Sequence, residues 1–396
     1  MSPLTNLRVV DLGSFIAGPY VTQLLGDFGA EIIKIEPLPG GDPMRQWGAQ
    51  REDGASFWWP VIGRNKKSVV INLKTDQGRA LTKRLLAKCD VLVENFRPGT
   101  LERLGLDPAE LIRENSRLVI ARISGFGQGG IYNGRAGFGS VAEAMGGLRF
   151  LTGHSDQPPP RTGLSIGDTL TALFATYGIM AALWEREQSG CGQIVDAALT
   201  DSVVAVLESV LTEYSGAGIL RERTGSILPG IAPSNIYPTL DQKWIVIGAN
   251  ADRPFSRLGR AMGRPELGED PRYATHSARG ERQAELDQLI SEWTKNFTLA
   301  ELVENLAIHG VPAGPVNDAS EVLNDPHFRQ RGTVLPVDTE TGRLWMQGVV
   351  PKLERTPGEI RWTGPTLGAH TDETLRDYLG LSNSDLLSLR REGVIA

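Results

Sequence analysis

The fold is decided by residues 7–36, which read LRVVDLGSFIAGPYVTQLLGDFGAEIIKIE. The apolar run over 7–12 predicts a strand, and the run over 30–36 predicts a second one. Between them, a turn through Gly13 leads into a helical pattern. Pro19 suits its first turn, where the missing N–H would have no partner in any case. The stretch is therefore interpreted as a βαβ unit.

The same alternation continues through the first half of the chain. Apolar runs predict strands at residues 68–73, 90–94 and 118–124, and an amphipathic pattern predicts a helix at 76–88. Buried apolar strands separated by amphipathic helices are typical of a parallel sheet covered on both faces. The first half is predicted to be a doubly wound α/β domain.

Glycine and proline mark two breaks in this pattern. Residues 125–165 are rich in glycine, and a long irregular segment inside an α/β domain is usually functional. A second cluster lies near 215–235. Beyond it, a strand at 243–248 and helices at about 253–263, 279–296 and 299–308 predict a smaller α+β domain, and the helical pattern returns at 371–379 and 384–392.

Composition excludes several classes of protein. The net charge of −6 argues against broad electrostatic binding to nucleic acid. No run of about 18 apolar residues occurs, and the N-terminus has no signal-peptide features, so we expect a cytoplasmic protein without a membrane partner. Cys89, Cys191 and the five histidines lack metal-ligand spacing, so no metal site is expected.

A dinucleotide-binding site is the first candidate that the motifs suggest. Residues 125–130 read GFGQGG after a predicted strand, and Glu36 ends the second strand of a βαβ unit. In a true fingerprint both features belong to one unit, and the glycines open a helix that faces the pyrophosphate. Here they lie far apart, and residues 131–137 do not favour a helix. A nicotinamide site is therefore disfavoured.

Asp168 is the second candidate, because it follows the irregular segment at the start of a long predicted helix. A carboxylate there is favoured by the helix dipole and stays ionised, as a carboxylate nucleophile must. Ser165-x-x-Asp168 also matches a capping box, in which the aspartate only stabilises the helix. Position alone leaves both interpretations open.

Basic residues follow several predicted strands, on the side where open α/β sheets bind ligands. They would be suited to a phosphate-binding rim. These residues are Lys34, Arg45, Lys66, Lys67, Lys74, Arg97 and Arg103.

Ten ordered blocks resemble the class III CoA-transferases, the group of formyl-CoA transferase and carnitine CoA-transferase, together with the related α-methylacyl-CoA racemases. The resemblance spans almost the whole chain. The blocks are Ala17–Pro19, Leu25–Glu31, Ile33–Glu36, Gly41–Arg45, Asn65–Ser68, Asn72–Lys74, Val93–Gly99, Ser124–Gly127, Gly167–Asp168 and Gly192–Asp196.

The resemblance implies an α/β fold whose large domain is Rossmann-like and is built from both ends of the chain. That domain would comprise residues 1–214 and 335–396. A linker over 215–235 and a return linker over 321–334 would flank a small α+β domain over 236–320. The family's subunits form interlocked, ring-like homodimers, so we expect the same assembly here.

The resemblance also implies the chemistry. Asp168 matches the catalytic aspartate, which attacks a CoA thioester to give an acyl anhydride and then an aspartyl-CoA thioester. Coenzyme A and acyl-CoA enter as substrates, and no permanently bound cofactor is expected. The positions that match the family's CoA contacts are Phe15, Ile16, Ala17, Ile71, Lys74, Asn95, Phe96 and Arg103.

One window separates transferase from racemase. The racemases carry a proton-transferring histidine where residues 137–142 read GFGSVA, so the transferase is favoured. Gly139 also replaces an acidic residue common in the transferases. A non-catalytic acyl-CoA-binding protein is the alternative from another class.

The acceptor side resembles family members that use dicarboxylic acids and succinyl-CoA. Arg161 is the candidate partner for the distal carboxylate, because a guanidinium binds a carboxylate in bidentate fashion. The other interpretation is that Arg161 caps a turn or pairs with Asp156. Formyl-CoA or carnitine chemistry remains the alternative for the substrate.

Overall fold

The computed structural model describes residues 2–52, 54–339 and 342–396. It divides into two compact units. The larger contains Met1–Arg149, Arg161–Thr212 and Pro326–Ala396, and the smaller contains Phe150–Pro160 and Glu213–Asp325. The division differs from the expected domains chiefly at Phe150–Pro160, which the prediction assigned to the large domain. Of the predicted large domain, residues 1, 53, 340 and 341 lie outside the described residues.

The strands are, in chain order, β1 (Arg8–Asp11), β2 (Glu31–Glu36), β3 (Lys66–Val70), β4 (Val91–Glu94), β5 (Val119–Ser124), β6 (Ile194–Ala198), β7 (Ser234–Pro238), β8 (Trp244–Gly248), β9 (Ala313–Pro315), β10 (Val334–Thr339) and β11 (Gly342–Gln347).

The helices are α1 (Ala17–Asp27), α2 (Trp59–Ile62), α3 (Asp76–Leu86), α4 (Thr100–Arg103), α5 (Pro108–Glu114), α6 (Gly139–Met145), α7 (Leu148–Leu151), α8 (Ile166–Ser189), α9 (Leu199–Val204), α10 (Val210–Ala217), α11 (Asp252–Ala261), α12 (His276–Glu281), α13 (Gln283–Thr294), α14 (Leu299–Ile308), α15 (Ala319–Asn324), α16 (Pro326–Gln330), α17 (Thr371–Leu379) and α18 (Asn383–Arg391). Short 3₁₀ turns occur at Pro43–Arg45 and Pro265–Gly268.

The larger unit is built on a six-stranded sheet with the order β3-β2-β1-β4-β5-β6, in which every neighbouring pair is parallel. The strand order reverses between β1 and β4. This is the doubly wound arrangement that the sequence predicts, with the strand order of the Rossmann fold. An antiparallel hairpin of β10 and β11 lies in the same unit.

Helices cover both faces of this sheet. Successive side chains of a strand point to opposite faces, so each strand contributes to two separate cores. Val9 on β1 packs in a core with residues of α1 and α8, whereas Val10 packs in a second core with residues of α3, α17 and α18. The second core includes the C-terminal Ile395, which pairs with Ile71 just after β3. The large unit thus contains residues from both ends of the chain.

Helix α8 is long and largely apolar. By length and composition alone it would also be able to cross a membrane. Its Ala172, Ala175 and Ile179 pack fully buried in the core shared with α1, which is how a core helix of a globular protein behaves. Cytoplasmic location and the lack of a membrane partner stay predictions.

The smaller unit is α+β. Its sheet has the order β7-β8-β9 with antiparallel pairing, and α11, α13 and α14 contribute to its core. The helix predicted at 279–296 is in fact two helices, α12 and α13, because Arg282 between them leaves helical geometry. Thr275 caps the first of these two helices by accepting a hydrogen bond from the N–H of Ala278.

Candidate active site

A cavity of about 310 Å³ opens at the carboxyl ends of β1, β4 and β5. The segments at the ends of these three strands line it, together with Arg135, Gly137, Phe138, Asp168 and Leu199. Strands β1 and β4 are the neighbours between which the strand order reverses. Open α/β sheets bind their ligands at such a switch point, so this cavity is the candidate binding site.

The segment after β1 is held in an unusual conformation. Phe15 has φ of 64°, in the left-handed region that a bulky residue seldom adopts. Its N–H donates to Oδ1 of Asp42 at 3.3 Å. Asn95, after β4, fixes the preceding residue twice, since its Oδ1 accepts from the N–H of Ser14 and its Nδ2 donates to the Ser14 carbonyl, both at 2.8 Å. Backbone strain of this kind persists where surrounding contacts enforce it, often at ligand sites.

A buried ionic network contacts the segment that follows β1. Lys34 donates to the Gly13 carbonyl at 2.8 Å and pairs with Asp42 at 2.9 Å. Lys66 pairs with Asp11 at 3.1 Å. Burial lowers the pKa of Lys66 to about 8, although Asp11 opposes that shift. Burial raises the pKa of Asp11, but the two ammonium groups outweigh it and hold that pKa below its usual value.

This network corrects the predicted phosphate-binding rim. Lys34 and Lys66 are fully buried and paired, so neither is available to a ligand phosphate. Arg45 is engaged by Glu36 through two 2.7 Å hydrogen bonds, and Lys67 pairs with Glu31 and Glu373. Of the predicted basic residues, Arg97 alone is among those that line the cavity, joined there by Arg135.

Aromatic side chains flank the mouth of the cavity. The Phe15 ring meets the Trp47 ring edge-on at 5.2 Å between centroids and the Phe138 ring at 6.1 Å. Phe138 and Trp47 are substantially exposed. Exposed rings beside a cavity offer an apolar surface on which a flat or alkyl ligand group can pack.

Asp168 lies in the first turn of α8 and lines the cavity. The capping box is not formed, because the Ser165 side chain makes no capping hydrogen bond. Across from Asp168 lies Gly139, the first residue of α6. A Cβ atom built on Gly139 would stand 2.9 Å from Cγ of Asp168 and nearer still to Oδ2. The carboxylate therefore occupies the space that a side chain at position 139 would take.

The electrostatic environment makes Asp168 an unusually basic carboxylate. Its pKa is raised to about 6: burial is the largest cause, repulsion from Glu143 adds to it, and the Arg161 guanidinium opposes both. At neutral pH the group is still mostly ionised. A carboxylate that is ionised yet more basic than usual is suited to attack an acyl carbon.

The predicted CoA-contact residues separate into two groups. Phe15, Ile16, Ala17, Asn95 and Phe96 line the cavity with Asp168.

The other three predicted residues, Ile71, Lys74 and Arg103, do not line the cavity. Lys74 and Arg103 are exposed. The prediction fails for the Ile71 side chain, which is fully buried in the core that includes Ile395 and has no surface to offer to a ligand.

Two features of the site were missed in the sequence. Glu143, which approaches Asp168, lies on helix α6 inside the segment predicted to be irregular, where flanking glycines obscure a helix of seven residues. The acidic members of the buried network, Asp11 and Asp42, were also missed. For Glu143 the available signal was its spacing from Gly139, because residues four apart lie on the same face of a helix.

Among the described residues, no group of three or more His, Cys, Asp or Glu side chains is arranged to hold a metal ion. Cys89 is buried, which raises the pKa of its thiol to about 12, and Cys191 is exposed.

Comparison with known proteins gives consistent matches. The model of CoA-transferase family III matches residues 4–371. The chain is 54% identical over 394 residues to succinyl-CoA–D-citramalate CoA-transferase of Chloroflexus aurantiacus, covering 99% of this chain and 98% of that protein. It is 39% identical over 397 residues to the succinyl-CoA–L-malate CoA-transferase beta subunit of the same organism, covering 99% and 98%. The crystal structure of a CAIB/BAIF family protein from Brucella suis aligns with a TM-score of 0.84 and 35% identity, covering 95% of this chain and 99% of that one.

Proposed function

The chain belongs to CoA-transferase family III, and from this premise we propose that it moves CoA from succinyl-CoA to a dicarboxylic acid with Asp168 as the nucleophile. The observation that carries the proposal is the Asp168 carboxylate itself. It points into the cavity at the switch point of the sheet, takes no part in a capping box, and has a raised pKa. The relatives named for D-citramalate and L-malate transfer support the dicarboxylate acceptor.

The first half of the reaction loads CoA onto the enzyme. A carboxylate oxygen of Asp168 attacks the thioester carbon of succinyl-CoA, the C–S bond breaks, and CoA leaves as a thiolate. The product is a mixed succinyl-aspartyl anhydride. The thiolate then attacks the Asp168 carbonyl carbon and expels succinate, which leaves an aspartyl-CoA thioester.

The second half repeats these steps with the acceptor. Its carboxylate attacks the aspartyl thioester carbon and releases CoA thiolate, which gives a second anhydride. The thiolate then attacks the acceptor acyl carbon and expels the Asp168 carboxylate. One thioester is broken and one is made, so the exchange needs neither ATP nor a metal ion.

The loops after β1 and β4 are proposed to bind the CoA thioester. Phe15, Ile16, Ala17, Asn95 and Phe96 form the cavity wall next to Asp168. The protein carries a net charge of −6, so the CoA phosphates require local cations. We assign these to Lys74 and Arg103, with Arg97 and Arg135 at the cavity. Coenzyme A is a substrate in this proposal, with no resident cofactor.

Backbone amides of the glycine-rich segments are proposed to stabilise the oxyanions. Gly125 and Gly137 line the cavity and approach so closely that a Cβ on Gly137 would stand 2.8 Å from Cα of Gly125. The absence of side chains leaves the backbone N–H groups accessible to a reacting carbonyl. Preorganised donors of this kind stabilise charge that develops in the transition state.

Arg161 is proposed to bind the distal carboxylate of both succinyl-CoA and the acceptor. Its guanidinium is close enough to Asp168 to lower that residue's pKa. It makes one weak contact, to the Leu164 carbonyl at 3.5 Å, and is exposed. A bidentate pair with a carboxylate would be much stronger than that turn contact.

Assembly as an interlocked homodimer is proposed from the family and from one surface. Apolar side chains of α8 are exposed on the side away from the core. These are Leu173, Phe174, Tyr177, Met180 and Trp184. A stripe of large apolar groups on one long helix is typical of a protein interface. A cytoplasmic homodimer is thus the expected form.

An exchange assay tests the proposal. Purified protein is incubated with succinyl-CoA and a panel that contains citramalate, malate, glutarate, formate and carnitine, and new thioesters are measured by chromatography. We expect transfer to the dicarboxylates and none in D168N. Transfer to formate or carnitine alone would replace the substrate assignment. Thermal stabilisation by CoA without transfer to any acid would instead favour a non-catalytic acyl-CoA-binding protein.

A further inference from the structure

Glu143 is a buried carboxylate that the proposed steps do not use. It lies on α6, four residues after Gly139, so both face the first turn of α8. Its side chain is only 1% exposed. Oε1 accepts a weak hydrogen bond from the N–H of Gly167, at 3.3 Å, immediately before Asp168.

The other oxygen of Glu143 is poorly satisfied. Among the described residues, Oε2 has no hydrogen-bond partner. The nearest cation is Arg149, whose Nε stands 3.7 Å away and also lacks a hydrogen bond among those residues. A buried charge with so little compensation is costly to retain for packing alone.

The charged groups around Asp168 come from several segments. Glu143 on α6 raises the pKa of Asp168, and Arg161, before α8, lowers it. Arg97 and Arg135 line the same cavity. Arg149 faces Glu143 from α7. Glu143 is thus the anion that disfavours the charge of Asp168, and Arg161 is the cation that favours it.

We propose that Glu143 is a positioning residue that destabilises the free Asp168 carboxylate relative to its acylated forms. This inference rests on the proposed function. When Asp168 attacks the thioester, its negative charge leaves with the CoA thiolate, and Asp168 is uncharged in both the anhydride and the aspartyl-CoA thioester. Repulsion from Glu143 is present before the attack and absent after it. The enzyme therefore favours acyl transfer onto Asp168.

The raised pKa of Asp168 agrees with this role. An anion that favours protonation of a carboxylate also favours its acylation, because either change removes the same charge. Burial contributes the larger part of that raised pKa, and Glu143 contributes next. Replacing Glu143 should therefore lower the pKa of Asp168 only part of the way towards its ordinary value.

Glu143→Gln separates charge from shape. Glutamine keeps the acceptor for the Gly167 N–H and nearly the same volume. Two quantities are measured: the pH at which kcat/KM falls on the acid side, and the fraction of enzyme held as the Asp168-CoA thioester with succinyl-CoA and no acceptor. In E143Q the acid limb is expected about one pH unit lower and the thioester fraction up to about tenfold lower, since one unit of pKa equals tenfold in equilibrium.

Arg149→Gln is the matched opposite variant. It removes the cation nearest to Glu143, so the acid limb should move to higher pH and the thioester fraction should rise. Thermal melting is measured for both variants. If E143Q does not fold, R149Q decides: an acid limb that moves upward supports the inference, and an unmoved limb overturns it.

The result that overturns the inference differs from the one that overturns the proposed function. A folded E143Q whose acid limb and thioester fraction equal those of wild type removes Glu143 from the mechanism and leaves the transferase intact. A wild-type protein that forms no Asp168 thioester with succinyl-CoA removes the proposed function itself.

Discussion

Gly139 and Asp168 are packed so closely that a Cβ atom at position 139 would stand 2.9 Å from Cγ of the Asp168 carboxylate. The glycine starts α6 and the aspartate lies in the first turn of α8. Any side chain at this position would take the same space. The orientation of Asp168 in this protein therefore depends on a position that has no side chain.

Gly139→Ala should impair catalysis without unfolding the protein. The methyl group would displace the carboxylate, and a displacement of about 1 Å in a reacting group costs on the order of a hundredfold in rate. Gly134→Ala is the matched control, because a Cβ at that glycine would have no neighbour within 4 Å in the part of the chain that the structure describes. CoA exchange is measured for both, with the melting temperature. Equal rates for the two variants would show that the Gly139 contact does not orient Asp168.

Asp168→Asn should stabilise the protein at neutral pH. Asp168 has a folded-state pKa raised to about 6 from 3.8, so the folded state binds a proton more tightly than the unfolded state does. Wild-type stability is therefore highest below the unfolded pKa and decreases as pH rises through about 6. At pH 7.5 we expect D168N to gain up to about 2 kcal/mol in the free energy of unfolding.

That gain should fade as the pH approaches 4, where the wild-type carboxyl is neutral as well. Urea unfolding at pH 4.5, 6 and 7.5 measures it. A difference that does not change with pH would contradict the raised pKa of Asp168.

Arg161→Gln should reduce selectivity for substrates with a distal carboxylate. Hydrogen bonds to a charged group contribute about 1.5–3 kcal/mol, so kcat/KM for succinyl-CoA should fall by roughly ten- to a hundredfold relative to butyryl-CoA. Arg113→Gln, at an exposed position of α5, serves as the control. If R161Q keeps the wild-type ratio, Arg161 serves the turn rather than the substrate.

Lys66→Met should destabilise the protein more than the same change at the adjacent lysine. Lys66 is fully buried and pairs with Asp11, so its loss leaves a buried carboxylate short of one counter-charge, at a cost of about 3 kcal/mol or more. Lys67→Met removes only partly exposed pairs with Glu31 and Glu373, worth about 1 kcal/mol or less. Urea unfolding compares them. Equal losses would mean that the network under the Phe15 segment does not contribute to stability.

The parallel sheet was predictable because its strands are rich in apolar residues, as over 30–36. β6 was not predicted as a strand, since Ile194–Ala198 is short and lacks a continuous apolar pattern. Helix α6 was hidden by neighbouring glycines. Both β6 and α6 depend on contacts with segments that are distant in sequence, and a local sequence pattern does not reveal such contacts.

The candidate site was likewise predictable only in part. Asp168 was predicted from its place at a helix start together with the family resemblance, and the cavity residues after β1 and β4 were predicted from that resemblance. Lys34 and Lys66 were predicted for a phosphate-binding rim, and the structure buries them against Asp11 and Asp42. Ion pairs between separate segments depend on the folded register, which a single sequence does not display.

The central claim is that Asp168 carries CoA covalently during transfer. Wild type and D168N are each mixed with succinyl-CoA, quenched in acid within the first turnovers, digested, and examined by mass spectrometry. We predict a CoA thioester on the peptide that contains Asp168 in wild type, its conversion to a hydroxamate by hydroxylamine, and neither product in D168N. CoA exchange at the wild-type rate in D168N, or an adduct on any other residue, would contradict the account.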